Sequence, residues 1–174
     1  MSLLAINDDD NRILVFGTES SFEFLENSQH WFVDGTFKSV PAQFMQLYTI
    51  HGLQRGHNVL CAYGLLRNKE ARTYEEMLGQ IQRLTNNAIP ESIMTDFENG
   101  SIAALRATYP NVPLKGCLFH LSKNIYKRVQ DAGLAARYLN DNAFRTNIKM
   151  ISAISFVPTA YVCASFHGII QPLW

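Results

Sequence analysis

The sequence predicts an α/β fold, a mixed sheet of three antiparallel strands followed by alternating helix and strand, with a helical region to close. Three observations carry this expectation. Apolar runs at Trp31 to Val40, Phe44 to Leu53 and Asn58 to Leu66 are separated by breaks short enough for hairpins, one holding Pro41 and the other the QRGH of Gln54 to His57. Beyond Leu66, stretches with helical spacing alternate with short strand-like runs. The chain has 174 residues, 47% of them hydrophobic and 17% charged, which suits one domain with a sizeable core.

The elements follow in order. In an N-terminal lead-in, residues 1–30, Ser20 and Glu23 have capping-box spacing around Phe22, Phe24 and Leu25, so a short helix is expected there. The core, residues 31–120, opens with the three apolar runs. Thr73 and Glu76 form a second capping box, and Tyr74, Met77, Leu78, Ile81 and Leu84 recur as one apolar helix face. A strand follows at Ser92 to Phe97 (SIMTDF), then a helix carrying Ile102, Leu105 and Tyr109 that stops at Pro110, then a strand at Leu114 to Phe119 (LKGCLF). Residues 121–174 read as helical, with stripes at Leu121, Ile125 and Val129 and at Phe144, Ile148, Ile151 and Ile154.

Charge and cysteine usage narrow the setting. Lys plus Arg equals Asp plus Glu at 15 each, yet after residue 100 the only acids are Asp131 and Asp141, against Arg106, Lys115, Lys123, Lys127, Arg128, Arg137, Arg145 and Lys149. A basic second half suits an anionic partner such as nucleic acid, and equally a solvated helix face. Cys61, Cys117 and Cys163 show no disulfide-like spacing, and the start MSLLAINDDDN is too short and acidic for a signal peptide, so a reducing, intracellular compartment is expected. Met150 to Trp174 lacks charge, but Pro158, Pro172, His167 and Gln171 interrupt it, which argues against a membrane span.

Asp34 stands alone in WFVDGTFKSV, a run that otherwise looks buried. An isolated carboxylate in such a place needs a hydrogen-bonded, charged or metal partner. A right-handed crossover through the helix after Leu66 lays the SIMTDF strand parallel to the first strand, and as its neighbour would bring Asp96 to the same end of the sheet. Two carboxylates about 4 Å apart repel by roughly 4 kcal/mol at an effective dielectric of 20. A divalent cation such as magnesium or manganese removes that repulsion and suits phosphodiester chemistry.

Each residue has a plainer role open to it. Asp34 also fits a strand-end carboxylate held by backbone N–H groups, Asp96 a helix cap, and Glu98 a residue at the helix N-terminus rather than a further ligand. Cys117 and His120 have zinc-like proximity, but two ligands fall short of the usual four, so a half-buried thiol and a hydrogen-bonded imidazole are the simpler expectation. His51 and His57 read as structural or exposed. Lys123, Lys127 and Arg128 suit phosphate contact or plain solvation.

DGTF at Asp34, FMQLYTIHG at Phe44 to Gly52, IMTDFE at Ile93 to Glu98 and KGCLFHLSKNIYKRVQ at Lys115 to Gln130 together resemble the transposase domain of Mutator-like elements, the MULE group. The resemblance runs from about Ile13 to about Phe166. It implies an RNase H-like core whose DDE triad cuts and joins DNA with magnesium or manganese, a DNA partner, a nuclear location, and no bar to a homo-oligomer. Asp34 matches the first acid and Asp96 the second; Cys117 and His120 match the Cys-x-x-His signature where a helical insertion begins. The family's third acid is a glutamate beyond that insertion, whereas the last glutamate here is Glu98. The chain is therefore expected to stop inside the insertion with its triad incomplete. Three functions follow: a DDE recombinase domain, an inactive descendant serving as a DNA-binding or protein-interaction module, and an RNase H-like nuclease.

Overall fold

Alternation along the strand Gln46–Gln54 sets the architecture. Gln46, Tyr48, Ile50 and Gly52 are buried while Leu47, Thr49, His51 and Leu53 are half-buried, so one face of the sheet is fully covered and the other only partly. The computed structural model describes residues 2–8, 11–36 and 40–170; the chain divides into two units, one through Gly116 and one from Cys117.

The first unit runs β1 (Ser2–Asp8), β2 (Asn11–Gly17), α1 (Glu19–Glu26), β3 (His30–Thr36), β4 (Gln46–Gln54), β5 (His57–Leu66), α2 (Ala71–Leu84), β6 (Ser92–Thr95), α3 (Asn99–Thr108) and β7 (Leu114–Gly116). Among the described residues, seven strands form one mixed sheet in the order β1-β2-β5-β4-β3-β6-β7. The three central strands β3, β4 and β5 are antiparallel neighbours, and β6 lies beside β3 and parallel to it, the neighbourhood the sequence left open. A second parallel step adds β7.

Helices α1, α2 and α3 pack on the covered face. A Cβ on Gly52 would strike Ser28 just after α1, one on Gly64 would strike Met77 of α2, and Tyr48 bonds Ser101 of α3. Ile13, Trp31, Ile50, Met77, Ile81 and Leu105 are the centre of the resulting core. Trp31 also donates its indole N–H to the Leu25 carbonyl at 3.1 Å, which fixes α1 on the sheet.

Several sequence expectations shift. The lead-in contributes a hairpin, β1 with β2, and Ile13 and Val15 are fully buried by alternation along β2. The box that starts α1 is Thr18 with Ser21, not Ser20 with Glu23: the Thr18 side chain accepts from the Ser21 N–H and the Ser21 hydroxyl accepts from the Thr18 N–H. Helix α2 starts before Thr73, which is itself buried, and Glu76 pairs with Arg72 one turn back at 2.9 Å. The first apolar run pairs only to Thr36, and of its expected remainder residues 37–39 lie outside the described residues. Strand β6 ends at Thr95 and β7 at Gly116, so Asp96 follows its strand, and Phe119 and His120 are helical. Asp34 is not in a strand buried on both faces, because burial alternates along β3 and Asp34 falls on the half-buried side.

The second unit contains α4 (Leu118–Asp131), α5 (Ala135–Asn140), α6 (Asn142–Ala153), two short 3-10 turns at Ile154–Phe156 and Thr159–Tyr161, and α7 (Val162–Ile170). Val129 and Phe144 are its buried apolar residues among those described. No helix among the described residues is long and apolar enough to cross a membrane.

Candidate active site

Parallel strands carry their C-terminal ends to the same edge of a sheet, and β3 and β6 do so with His30 opposite Ser92, Trp31 opposite Ile93 and Phe32 opposite Met94. Continued past the last pair, the same register sets Asp34 abreast of Asp96, on strands that run about 4.8 Å apart. The pleat puts Asp34 with Phe32 on the half-buried face, opposite Trp31 and Val33. The two acids thus follow directly on the end of one parallel ladder.

Backbone contacts hold each acid. The Thr49 hydroxyl of β4 donates to the Asp34 carbonyl at 3.2 Å, and Thr49 is also the register partner of Asp34. Asp96 Oδ1 accepts the Glu98 N–H at 3.1 Å, a local turn that leads the chain from β6 into α3. Asp96 therefore shapes the turn, while Glu98 occupies the N-cap position of α3 without a side-chain cap bond.

Glu98 has a different partner. Its Oε2 lies 3.0 Å from Lys69 Nζ, in the loop between β5 and α2, with both side chains partly exposed. The further-ligand role for Glu98 is set against an ion pair already formed.

Two tyrosines of the covered face sit within electrostatic reach of the acids. Burial pushes the Tyr48 phenol well above its ordinary pKa; the Ser101 hydrogen bond opposes this, and the charges of Asp96 and Asp34 reinforce it. Tyr74 is pushed up to about 12, first by burial and then by Glu98 and Asp96, against the lowering effect of its hydrogen bond with Gln46. Both phenols are neutral donors and acceptors at any physiological pH. Their rings meet edge to face at 5.2 Å.

The donor set suits a hard divalent cation. Carboxylates match the oxygen preference of magnesium or manganese, and Asp34 and Asp96 are the residues that would hold it. Among the described residues no three His, Cys, Asp or Glu side chains converge on a common point.

In the second unit, Cys117 takes the N-cap position of α4 and His120 its first turn. Cys117 and His120 are half-buried, and the His120 ring packs edge to face on Phe119 at 5.3 Å. Lys123, Lys127 and Arg128 are exposed, whereas Leu121 and Ile125 are half-buried and Val129 is buried, so α4 is amphipathic as its spacing implied. Sequence reasoning missed Lys69, Ser101 and the polar role of Tyr48, which reads as plain core. The one signal for Lys69 is a polar RNKE stretch between two apolar segments.

Residues 30–124 match the family model described as the MULE transposase domain, and this match spans both acids, the Cys117–His120 pair and Lys123. A comparison with curated proteins gives no match. With more than half of its length inside that match, the chain belongs to the MULE transposase domain family.

Proposed function

We propose that this chain is a DDE-type, metal-dependent DNA strand-cleaving and strand-joining domain with an RNase H-like core, in which Asp34 and Asp96 are the first two acids. The observation that supports the reading is the parallel register of β3 and β6, whose continuation past Phe32 and Met94 would set Asp34 level with Asp96 at one end of the sheet. The strand order β5-β4-β3-β6-β7, antiparallel and then parallel, supports the RNase H-like part. A divalent ion bound there supplies charge neutralisation for phosphoryl transfer. The chain's own residues supply oxygen ligands at Asp34 and Asp96, and Lys123, Lys127 and Arg128 supply cations for the DNA backbone. A DNA partner makes the nucleus the expected location, and a second copy is an allowed partner.

A specific observation bears on a second reading, weak cutting: Glu98, the acid that follows Asp96 by two residues, is paired with Lys69. A Glu98 engaged there supports the binding-module reading. Manganese is expected to raise the melting temperature of the wild type and not of Asp34→Asn or Asp96→Asn, since a ligand stabilises only the state that binds it. With manganese and a labelled nicked duplex, cleavage should be slight. Equal manganese shifts in all three proteins would sink the acid-pair assignment, and robust cutting abolished in Asp34→Asn would show that a third ligand is supplied after all.

A further inference from the structure

The ladder that joins β3 to β6 has its last pair at Phe32 and Met94, short of both acids. Both strand ends carry negative charge, and like charges push apart. A buried tie spans the two segments that hold them. On one side, Asp34 is fastened to β4 through Thr49, and the next pair in the register is Gly35 with Tyr48. On the other, Asp96 is fastened through the Glu98 N–H to the start of α3, in whose first turn Ser101 lies. Tyr48 and Ser101 join across 53 residues of sequence through a hydroxyl–hydroxyl hydrogen bond of 2.6 Å, with Ser101 fully buried and Tyr48 2% exposed.

The same turn of α3 is clamped from a second side. A Cβ on Gly100 would strike the Lys69 carbonyl oxygen, so the turn packs directly on the loop before α2, and Lys69 Nζ reaches Glu98 from that loop. Gln46 of β4 reaches Tyr74 of α2 at 2.6 Å, giving β4 a parallel anchor to the helical layer. With α3 pressed against this loop, the Tyr48–Ser101 bond sets how far β4 stands from the first turn of α3.

We infer that Tyr48 and Ser101 are a positioning pair: their buried hydrogen bond fixes β4, and with it Asp34, relative to the first turn of α3, and with it Asp96, so that the two carboxylates are spaced for one divalent cation. The inference rests on the acid-pair reading above. Neither residue touches the ion. Each acts through the backbone segment that carries an acid.

The test is manganese affinity, with the free ion counted by electron paramagnetic resonance, on the full chain and its Tyr48→Phe, Ser101→Ala and doubly substituted variants. Tyr109→Phe, which removes another buried hydroxyl on the same face, is the control for general loosening. Removing an outer positioning group should weaken manganese binding roughly tenfold in each single variant. The double variant should be no weaker than either single one, because the two residues share one bond and either substitution breaks it. Tyr109→Phe should bind as the wild type does. Wild-type affinity in both Tyr48→Phe and Ser101→Ala would overturn the positioning role while leaving the acid pair standing, as would additive effects in the double variant or an equal weakening in Tyr109→Phe. A wild type that binds no manganese, or binds it undiminished in Asp34→Asn, would overturn the acid-pair reading and this inference together.

Discussion

Gly100 shows how much one atom matters near the acids. In an exposed helix, replacing glycine with alanine gains about 1 kcal/mol. At Gly100 the added carbon would meet a backbone oxygen, which cannot swing away as a side chain can. Gly100→Ala should therefore lower stability by about 2 kcal/mol, and the thermal midpoint should fall by several degrees; an unchanged or higher midpoint would refute the close approach. Residues of this kind are hard to read from sequence, since nothing in ENGS distinguishes a glycine that fits under a carbonyl from one that merely starts a helix. Asp34 and Asp96 stood out for the opposite reason: a charge at the edge of an apolar run catches the eye, even though Asp34 falls on the half-buried face and Asp96 just past its strand. Lys69 and Ser101 break no local rule, and their partners lie 29 and 53 residues away.

At the scale of elements, the strands and helices announced themselves by period, and their ends did not. Around α1, Ser20 with Glu23 matches the sequence pattern of a capping box, and the structure instead uses Thr18 with Ser21 because β2 ends immediately before Thr18 and delivers the chain there in extended form. Helix α2 gains its first turn from a loop contact, Asn68 Oδ1 accepting the Glu70 N–H at 3.0 Å, which a pattern beginning at Thr73 cannot contain. Helix α6 offers a pH test of capping. Asp141 accepts the Phe144 N–H at 3.0 Å, and that bond, chiefly, holds its carboxyl below the ordinary range. A lowered folded pKa means the cap's contribution is complete above the unfolded value of about 4 and is lost as pH falls through the folded one. Amide exchange at Phe144 should quicken in acid relative to its neighbours, and less so in Asp141→Asn, whose amide oxygen caps without titrating. Equal acid sensitivity in the two proteins would remove the cap from the explanation. For α4, replacing Lys123, Lys127 and Arg128 with glutamine should weaken DNA binding across all sequences and flatten its salt dependence by roughly one unit of slope for each phosphate no longer neutralised. An unchanged slope would leave those cations as solvated residues.

For the molecule as a whole, the division at Gly116 makes a strong prediction. The hydrophobic cluster from Ile13 to Val112, with Leu114 packed on it, belongs wholly to the first unit. A chain ended after Gly116 should unfold cooperatively, with a midpoint by Trp31 fluorescence within about 4 °C of the corresponding transition in the full chain, a shift worth under about 1 kcal/mol at this size. Absence of the cooperative transition would show that the two units share a core. Large apolar residues beyond Gly116 are well exposed, Phe156 at 76% and Tyr161 at 63%, which suits a shortened chain that is also more soluble. The pairing of β1 with β2 was the part of the fold least visible in advance, since the acidic sequence DDD at 8–10 dominates the reading of a short segment whose apolar positions lie on either side.

The unequal faces of the sheet divide the chain's evolutionary freedom along its own strands. On β4, Gln46, Tyr48, Ile50 and Gly52 face the helices, whereas Leu47, Thr49, His51 and Leu53 share the side that carries Asp34. Substitutions at the first set change how much folded protein a cell keeps, because they reach the packed layer. Substitutions at the second set, which is half-buried, should cost less stability and alter the side of the sheet that carries Asp34. Stability and the surroundings of Asp34 are therefore set largely by alternate residues of one strand, with Tyr48 the position where the two meet, since its buried hydroxyl ties the strand to α3.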